Sequence, residues 1–122
     1  TRFLVADECT VSEEYKERIL KAGDISTIVT GRRDDHAVRC LKTPFSNKYA
    51  RLEREGVSAE ELGKLGAGSL RKAAVDGNYE EGSFMAGQIA GMVKKRESAA
   101  AIVDDLLDGA EKVLSEAGKW VK

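Results

Sequence analysis

The apolar run Phe3-Leu4-Val5-Ala6 near the start of the chain places the strongest constraint on its fold. The run is short, Asp7 and Glu8 follow it, and its apolar residues are consecutive and lack a helical period. Such a run predicts a β-strand that is covered on both faces. A strand of that kind needs neighbouring strands, so the rest of the chain must be searched for them.

Two other segments have strand character. Residues 25–30 are rich in β-branched side chains, and residues 37–42 alternate between two faces. The loop between them, residues 31–36, is polar and turn-like, which predicts a small antiparallel hairpin. A two-stranded ribbon cannot cover both faces of Phe3 to Ala6.

The first half of the remaining chain has the signals of two helices. Thr10 and Ser12 are overlapping N-cap candidates for a short amphipathic helix that ends near Gly23. A charged helix is predicted from Pro44 to Gly56, where the apolar residues recur at helical spacing.

The second half has the signals of two more. The capping box from Ser58 to Glu61 begins a helix that closes at Asp76-Gly77. Ser98 is the N-cap of a final helix whose apolar stripe starts at Ile102 and ends at Trp120, which we expect to lie in the core. The chain is therefore predicted to be mostly helical, with few strands.

The composition of the 122-residue chain excludes several classes of function. Lys and Arg number 20, Asp and Glu number 21, and the formal net charge is -1. The chain therefore lacks the excess of basic residues that would predict nucleic-acid binding. No apolar run approaches the roughly 20 residues that cross a bilayer, and we expect a cytoplasmic protein. Cys9 and Cys40 are far apart and the chain has one His, so we predict neither a metal site nor a redox pair.

Residues 83–92, with the sequence SFMAGQIAGM, concentrate small side chains. We predict a helix from residue 82 to about Lys95, on which Ser83, Gly87 and Gly91 form a ridge with almost no side chain. Glycine inside a helix costs about 0.5–1 kcal/mol relative to alanine, so another group should approach closely. The residues alone leave two explanations open: packing of a helix or a sheet edge on the ridge, or binding of a flat ligand or its phosphate at the first turn.

Several motifs carry a resemblance to a known family. They are Gly66-Ala67-Gly68-Ser69-Leu70, Ala73-Ala74-Val75-Asp76-Gly77 and, most specifically, Met85-Ala86-Gly87-Gln88. With these motifs, and with Thr1-Arg2-Phe3 at its start, the chain resembles the C-terminal part of the FMN-dependent enoyl-acyl carrier protein reductase of type II. That family is related to nitronate monooxygenase. The resemblance covers nearly the whole chain.

The resemblance implies a fold and a division of the chain. Members of the family are (β/α)8 barrels that hold FMN, so the chain is expected to be a C-terminal fragment of a TIM-barrel flavoprotein. Residues 1–6 would be the last barrel strand, residues 7–81 an inserted small α+β subdomain, and residues 82–122 the closing helices of the barrel. Catalytic groups in such barrels lie on loops after several strands. We therefore expect no catalytic residue here and no activity of the chain alone.

The resemblance also implies a reaction and a cofactor site. The reaction is hydride transfer from NADH or NADPH to FMN, and then to the double bond of an enoyl thioester on acyl carrier protein. Thr1 matches the family residue beside the backbone N–H groups that hold the FMN phosphate. Met85 and Gln88 match the segment that borders the flavin, and Ser83 and Gly87 are further cofactor-binding candidates. A homodimer, or a second chain that supplies the rest of the barrel, is compatible with this assignment.

Two other interpretations remain open: a piece of a related nitronate-oxidising enzyme, and a self-standing helical interaction module. The context of the motifs at Gly66 and Met85 favours the reductase over the oxidase. An uncovered strand at residues 3–6 argues against the module. His36, the single imidazole, is expected to be a surface or hairpin residue, because the catalytic His of the family lies upstream of this chain.

Overall fold

The computed structural model describes residues 1–33 and 36–120. These ranges contain the α-helices α1 (Glu13–Leu20), α2 (Pro44–Glu55), α3 (Ala59–Gly66), α4 (Ser69–Ala74) and α5 (Ala99–Glu116), and the strands β1 (Thr27–Thr30) and β2 (Val38–Leu41). Short 3₁₀-helices cover Arg2–Val5, Gln88–Met92 and Ala117–Lys119. Asp34 and Asp35 of the predicted hairpin loop, and Val121 and Lys122, lie outside the described residues. Within the described ranges, no helix has the length and apolarity needed to cross a membrane.

Four helices begin after a polar N-cap residue, and for three of them, Ser12, Ser58 and Ser98, the sequence predicts that residue. In each case the N-cap side chain accepts a hydrogen bond from a backbone N–H three residues later; these caps are Ser12, Thr43, Ser58 and Ser98. The bond satisfies an N–H group that has no partner inside the helix, and it contributes about 1 kcal/mol. The predicted starts of α1, α2, α3 and α5 are therefore confirmed.

The predicted helix from Ser58 towards Asp76 is two helices. α3 ends at Gly66, α4 begins at Ser69, and Gly68 between them has a φ of 74°. Glycine adopts this left-handed conformation without the penalty that a Cβ brings. The turn at Gly68 directs Ala73 of α4 into the core, where it is fully buried.

The predicted hairpin is confirmed. β1 and β2 pair antiparallel, with Thr27 opposite Leu41 and Thr30 opposite Val38. Gly31, directly after β1, has a φ of 73°, and a Cβ there would lie 3.1 Å from the carbonyl carbon of His36. The backbone of Gly31 therefore lies in close contact with the backbone of His36.

The predicted helix over residues 82–95 is wrong. Phe84 and Ala86 instead pair with β2, on the edge that β1 leaves open: the Leu41 N–H donates to the Phe84 carbonyl at 2.8 Å, and the Ala86 N–H donates to the Arg39 carbonyl at 3.2 Å. Only after this extended stretch does the chain turn, in the 3₁₀-helix Gln88–Met92. The predicted ridge of small residues therefore does not form.

At two positions in this stretch, Gly82 and Gly91, another part of the backbone packs too closely for a side chain. A Cβ added at Gly82 would lie 2.9 Å from the Cα of Ala73, and one added at Gly91 would lie 2.9 Å from the carbonyl carbon of Gly23. Both neighbours are backbone atoms, which cannot move aside as the end of a side chain can. Of the two explanations that the sequence leaves open, close packing of protein is the one observed at these positions.

The predicted strand at Phe3–Ala6 is also wrong. Residues Arg2–Val5 form a 3₁₀-helix, in which the Leu4 N–H donates to the Thr1 carbonyl at 3.0 Å. A strand must pair its backbone groups with a neighbour, and the one sheet of the described residues contains only β1 and β2. Local bonds therefore replace the strand ladder.

The hydrophobic core joins all three parts of the predicted division. Its fully or nearly fully buried members are Val5, Tyr15, Ile19, Ala22, Leu41, Ala73, Phe84, Ala86, Ala90 and Val93. The division at residues 6 and 81 stays a prediction.

α5 lies largely outside this core. Ile102 is its one buried residue, and Val113 is 66% exposed. Trp120 is 81% exposed, so its predicted core position is wrong. The apolar stripe of α5 has the predicted spacing, but within the described part of the chain it has little to pack against.

We expect Gly82→Ala to lower the free energy of unfolding by about 1–3 kcal/mol, the usual cost of overpacking. The new methyl group would overlap the backbone of Ala73. Gly63→Ala is the matched control: a Cβ at Gly63, inside α3, meets open space, and alanine should raise the free energy of unfolding by about 0.5–1 kcal/mol. Denaturant titration measures both variants, and a Gly82→Ala protein as stable as the wild type would contradict the close packing.

Candidate functional site

The two ends of the predicted cofactor site meet in the structure. The Gly87 N–H donates to the Thr1 hydroxyl oxygen at 2.9 Å, although 86 residues separate them in sequence. Gly87 is exposed and Thr1 is half-buried. The contact therefore lies at the surface, where a ligand can reach it.

A set of charged contacts fixes the segment that starts with Thr1. The Arg2 guanidinium pairs with Glu97 at 2.9 Å and with Asp105 of α5 at 2.7 Å. At the other end of the segment, the buried Lys16 ammonium donates to the Ala6 carbonyl at 3.0 Å. These contacts attach the segment to both α1 and α5.

Met85 lies two residues before Gly87 in the same stretch of chain. It is paired opposite Cys40 of β2, and its side chain is partly exposed. Its carbonyl accepts a hydrogen bond from the Tyr15 hydroxyl at 2.7 Å. Burial is the main cause that raises the pKa of Tyr15 to about 12, so this hydroxyl keeps its proton and remains a donor at neutral pH.

Gln88 follows Gly87 directly and is the first residue of a 3₁₀-helix. Its side chain is exposed, and its amide can both donate and accept hydrogen bonds. Thr1, Met85, Gly87 and Gln88 thus form a group with a hydroxyl, an amide and a soft thioether, which we call the Thr1–Gln88 group.

Ser83 differs from the Thr1–Gln88 group because it is buried. Its backbone N–H donates to the Ser69 carbonyl at the start of α4, at 3.0 Å. The structure therefore places Ser83 on the inner side of the stretch, and its role in cofactor binding stays a prediction.

The Thr1–Gln88 group fits an FMN cofactor. A Cβ at Gly87 would lie 3.3 Å from the Thr1 hydroxyl oxygen, a tight contact that glycine avoids. The polar groups of Thr1 and Gln88 suit a phosphate or the polar edge of a ring, and Met85 offers a polarizable face. Among the described residues, no three His, Cys, Asp or Glu side chains are grouped so that they could hold a metal ion.

The other notable polar residues lie elsewhere. His36 is exposed in the hairpin loop, and Arg39 donates to the Thr27 hydroxyl across the hairpin at 3.0 Å. A groove of about 600 Å³ lies between β1 and α2, with Ile28 and Glu53 among its lining residues, and no predicted site residue lines it.

Sequence analysis missed the role of Tyr15. Its ring is buried against Phe84, with ring centroids 4.8 Å apart. A buried tyrosine hydroxyl usually has a hydrogen-bond partner. That general rule was the available signal, but the pattern could not identify the Met85 carbonyl, which lies 70 residues away in sequence.

Comparison with known proteins gives a consistent result. The sequence profile of a family described as nitronate monooxygenase matches residues 1–109. FabK from Thermotoga maritima superposes with a TM-score of 0.88 at 35% identity, covering 98% of this chain and 38% of FabK. A Met-to-Ala mutant of the same FabK gives a TM-score of 0.79 at 33% identity, covering 98% of this chain and 35% of the mutant.

A curated relative comes from Mycobacterium tuberculosis. It is (3aS,4S,5R,7aS)-5-hydroxy-7a-methyl-1-oxo-octahydro-1H-indene-4-carboxyl-CoA dehydrogenase, which is 26% identical over 159 residues. The match covers 100% of this chain and 45% of the relative. The chain thus spans less than half the length of the proteins that it matches.

The fold and the matches define the class of protein first: a TIM-barrel protein of the FabK type, of which this chain corresponds to a part. Within that class, the chain belongs to the nitronate monooxygenase family. The predicted family and fold class are confirmed, apart from the strand at its start.

We expect Glu97→Gln to lower the thermal midpoint of unfolding at neutral pH, and the effect to shrink progressively as the pH falls below 4.5 and through the folded pKa. The hydrogen bond from Lys95, and then that from Arg2, hold the pKa of Glu97 below its usual value of 4.5. A carboxylate with a lowered pKa stabilises the fold above the unfolded value, and this contribution is lost as the pH falls through the folded value. Glu111→Gln, at an exposed position of α5, is the control. An equal loss in Glu97→Gln at neutral and at acidic pH would show that its ion pairs contribute nothing.

Proposed function

We propose that this chain is part of an FMN-dependent enoyl-acyl carrier protein reductase. The observation that carries the proposal is the likeness to FabK, at 35% identity over 98% of the chain. The motifs at Gly66 and Met85 support it, because they are the ones that resemble this reductase family.

A thioester substrate also has support from the curated relative. That relative is named as a dehydrogenase of a carboxyl-CoA compound, which is a thioester of the same chemical kind as an acyl group on a carrier protein. The name of this relative thus favours oxidation or reduction of a thioester compound. We propose the acyl carrier protein as the partner that presents the substrate.

The residues of this chain would bind and orient the cofactor. FMN, when bound, would relay a hydride from NADH or NADPH to the double bond of the enoyl thioester. The Thr1 hydroxyl, oriented by the Gly87 N–H, would donate to its polar part, and Gln88 would hydrogen-bond its edge. Met85 would lie against it and exclude water. No described residue of this chain is assigned a proton-transfer role.

The remaining proposals concern assembly and location. The exposed apolar side chains Phe3, Met92 and Trp120 are 48%, 78% and 81% exposed, which is unusual for a stable isolated module. We propose that further parts of the barrel, from the same chain or another, cover them. A homodimer and a cytoplasmic location complete the proposal.

Nitronate oxidation is the second candidate. The family profile that matches residues 1–109 carries this activity in its description. The same Thr1–Gln88 group would serve it, since both reactions need a positioned flavin.

The intact flavoprotein should oxidise NAD(P)H in a way that depends on an enoyl thioester of acyl carrier protein. It should consume little oxygen when a nitronate is supplied, because the thioester is the proposed hydride acceptor. Loss of the absorbance of the reduced nicotinamide measures the first reaction, and an oxygen electrode measures the second. Nitronate-dependent oxygen uptake without enoyl reduction would replace the proposed function with the second candidate.

Gly87→Ala should weaken FMN binding by about tenfold, which corresponds to about 1.4 kcal/mol. The added methyl group would lie 3.3 Å from the Thr1 hydroxyl oxygen, so the hydroxyl would have to shift and its hydrogen bond with the Gly87 N–H would weaken. Flavin fluorescence during titration of the apoprotein measures the dissociation constant. Gly109→Ala, in open space on α5, is the matched control. Unchanged FMN affinity in Gly87→Ala would remove Gly87 from the site.

A further inference from the structure

The peptide unit between Met85 and Ala86 is held at both of its polar groups. Its N–H, on Ala86, donates to the Arg39 carbonyl of β2 at 3.2 Å. Its C=O, on Met85, accepts from the Tyr15 hydroxyl at 2.7 Å. Because a peptide unit is planar, two bonds on opposite sides fix its rotation about the chain.

The pairing with β2 cannot supply the second bond. Met85 faces Cys40 between the two hydrogen bonds that join this stretch to β2, and residues at such a position direct their own N–H and C=O groups away from the partner strand. The Met85 carbonyl therefore depends on a donor outside the sheet, and that donor is Tyr15.

Tyr15 is itself held in place. Its ring is 2% exposed and packs against Phe84. α1, which carries it, is fixed at its start by Ser12, whose hydroxyl donates to the Ala73 carbonyl at 2.8 Å. The hydroxyl of Tyr15 thus has a defined position relative to β2 and α4.

We propose that Tyr15 is a positioning residue for the flavin, whose hydroxyl fixes the Met85–Ala86 peptide and so sets the direction of the Met85 side chain and of the Gly87 N–H. This inference rests on the proposed function, in which Met85 and the Thr1 hydroxyl that the Gly87 N–H orients contact the cofactor. Tyr15 does not touch the flavin. It acts through the backbone of the stretch that does.

A purely structural role would give a different result. If Tyr15 only fills the core, phenylalanine serves equally well, because the ring and its contact with Phe84 are kept. Tyr79 provides the matched control. Its ring also contacts Phe84, with centroids 6.3 Å apart, so Tyr79→Phe removes a hydroxyl from the same aromatic cluster away from the Met85 carbonyl.

The experiment compares Tyr15→Phe, Tyr79→Phe and the wild type in the intact flavoprotein. The readouts are the FMN dissociation constant of the apoprotein, the position and fine structure of the visible absorption band of bound FMN, and the far-ultraviolet circular dichroism. Tyr15→Phe should fold, should raise the dissociation constant by about threefold to tenfold, as expected for one lost hydrogen bond, and should change the absorption band. Tyr79→Phe should change the dissociation constant by less than about twofold. Replacement of Tyr15 with 4-aminophenylalanine, which keeps a donor, should restore most of the affinity.

The outcomes separate this inference from the function on which it rests. If the wild type binds FMN and Tyr15→Phe behaves like Tyr79→Phe, the positioning role is overturned and the proposed function stands. A Tyr15→Phe protein that fails to fold also overturns it, since the hydroxyl would then serve folding alone. If the wild type binds no FMN, the proposed function fails, and the positioning role fails with it.

Discussion

The burial of Phe84 is the interaction on which the rest of the structure depends. Its side chain is fully buried between the rings of Tyr15 and Tyr79, and its carbonyl accepts the N–H of Leu41 in β2. Burying a phenylalanine contributes about 1.5–3 kcal/mol, and here it also draws three separate stretches of chain together. Because successive side chains of an extended segment alternate between its two faces, the buried side chain of Phe84 leaves the next one, that of Met85, directed towards the surface.

That alternation builds the Thr1–Gln88 group. Once Phe84 is fixed, Met85 lies at the surface next to β2. Two residues later, the Gly87 N–H donates to the Thr1 hydroxyl oxygen at 2.9 Å. Thr1 in turn is held by contacts at both ends of its segment, with α5 through Arg2 and with α1 through Lys16. The group therefore depends on long-range packing, although its most characteristic motif is four consecutive residues.

The sequence predicted what is encoded locally. Ser58 and Ser98 cap their helices as expected, because an N-cap needs only a side chain and a backbone N–H three residues later. The predictions from the sequence are wrong where a partner distant in sequence determines the local structure. Residues 82–95 were predicted as a helix from the spacing of their glycines, but pairing with β2 overrides that spacing. In the site, Met85 and Gln88 came from the resemblance of a motif, whereas no local pattern could show that Tyr15 bonds to the Met85 carbonyl.

The remaining failures have one physical cause. The segment at Phe3 was predicted as a strand and Trp120 as a core residue because both are apolar, and apolar residues are buried when a surface is available to cover them. Within the described residues Phe3 is 48% exposed and Trp120 is 81% exposed. Both predictions assumed neighbours that the described part of the chain does not provide. The same residues are the ones that the proposed barrel would cover, so Phe3 and Trp120 mark the surfaces where its other parts should pack.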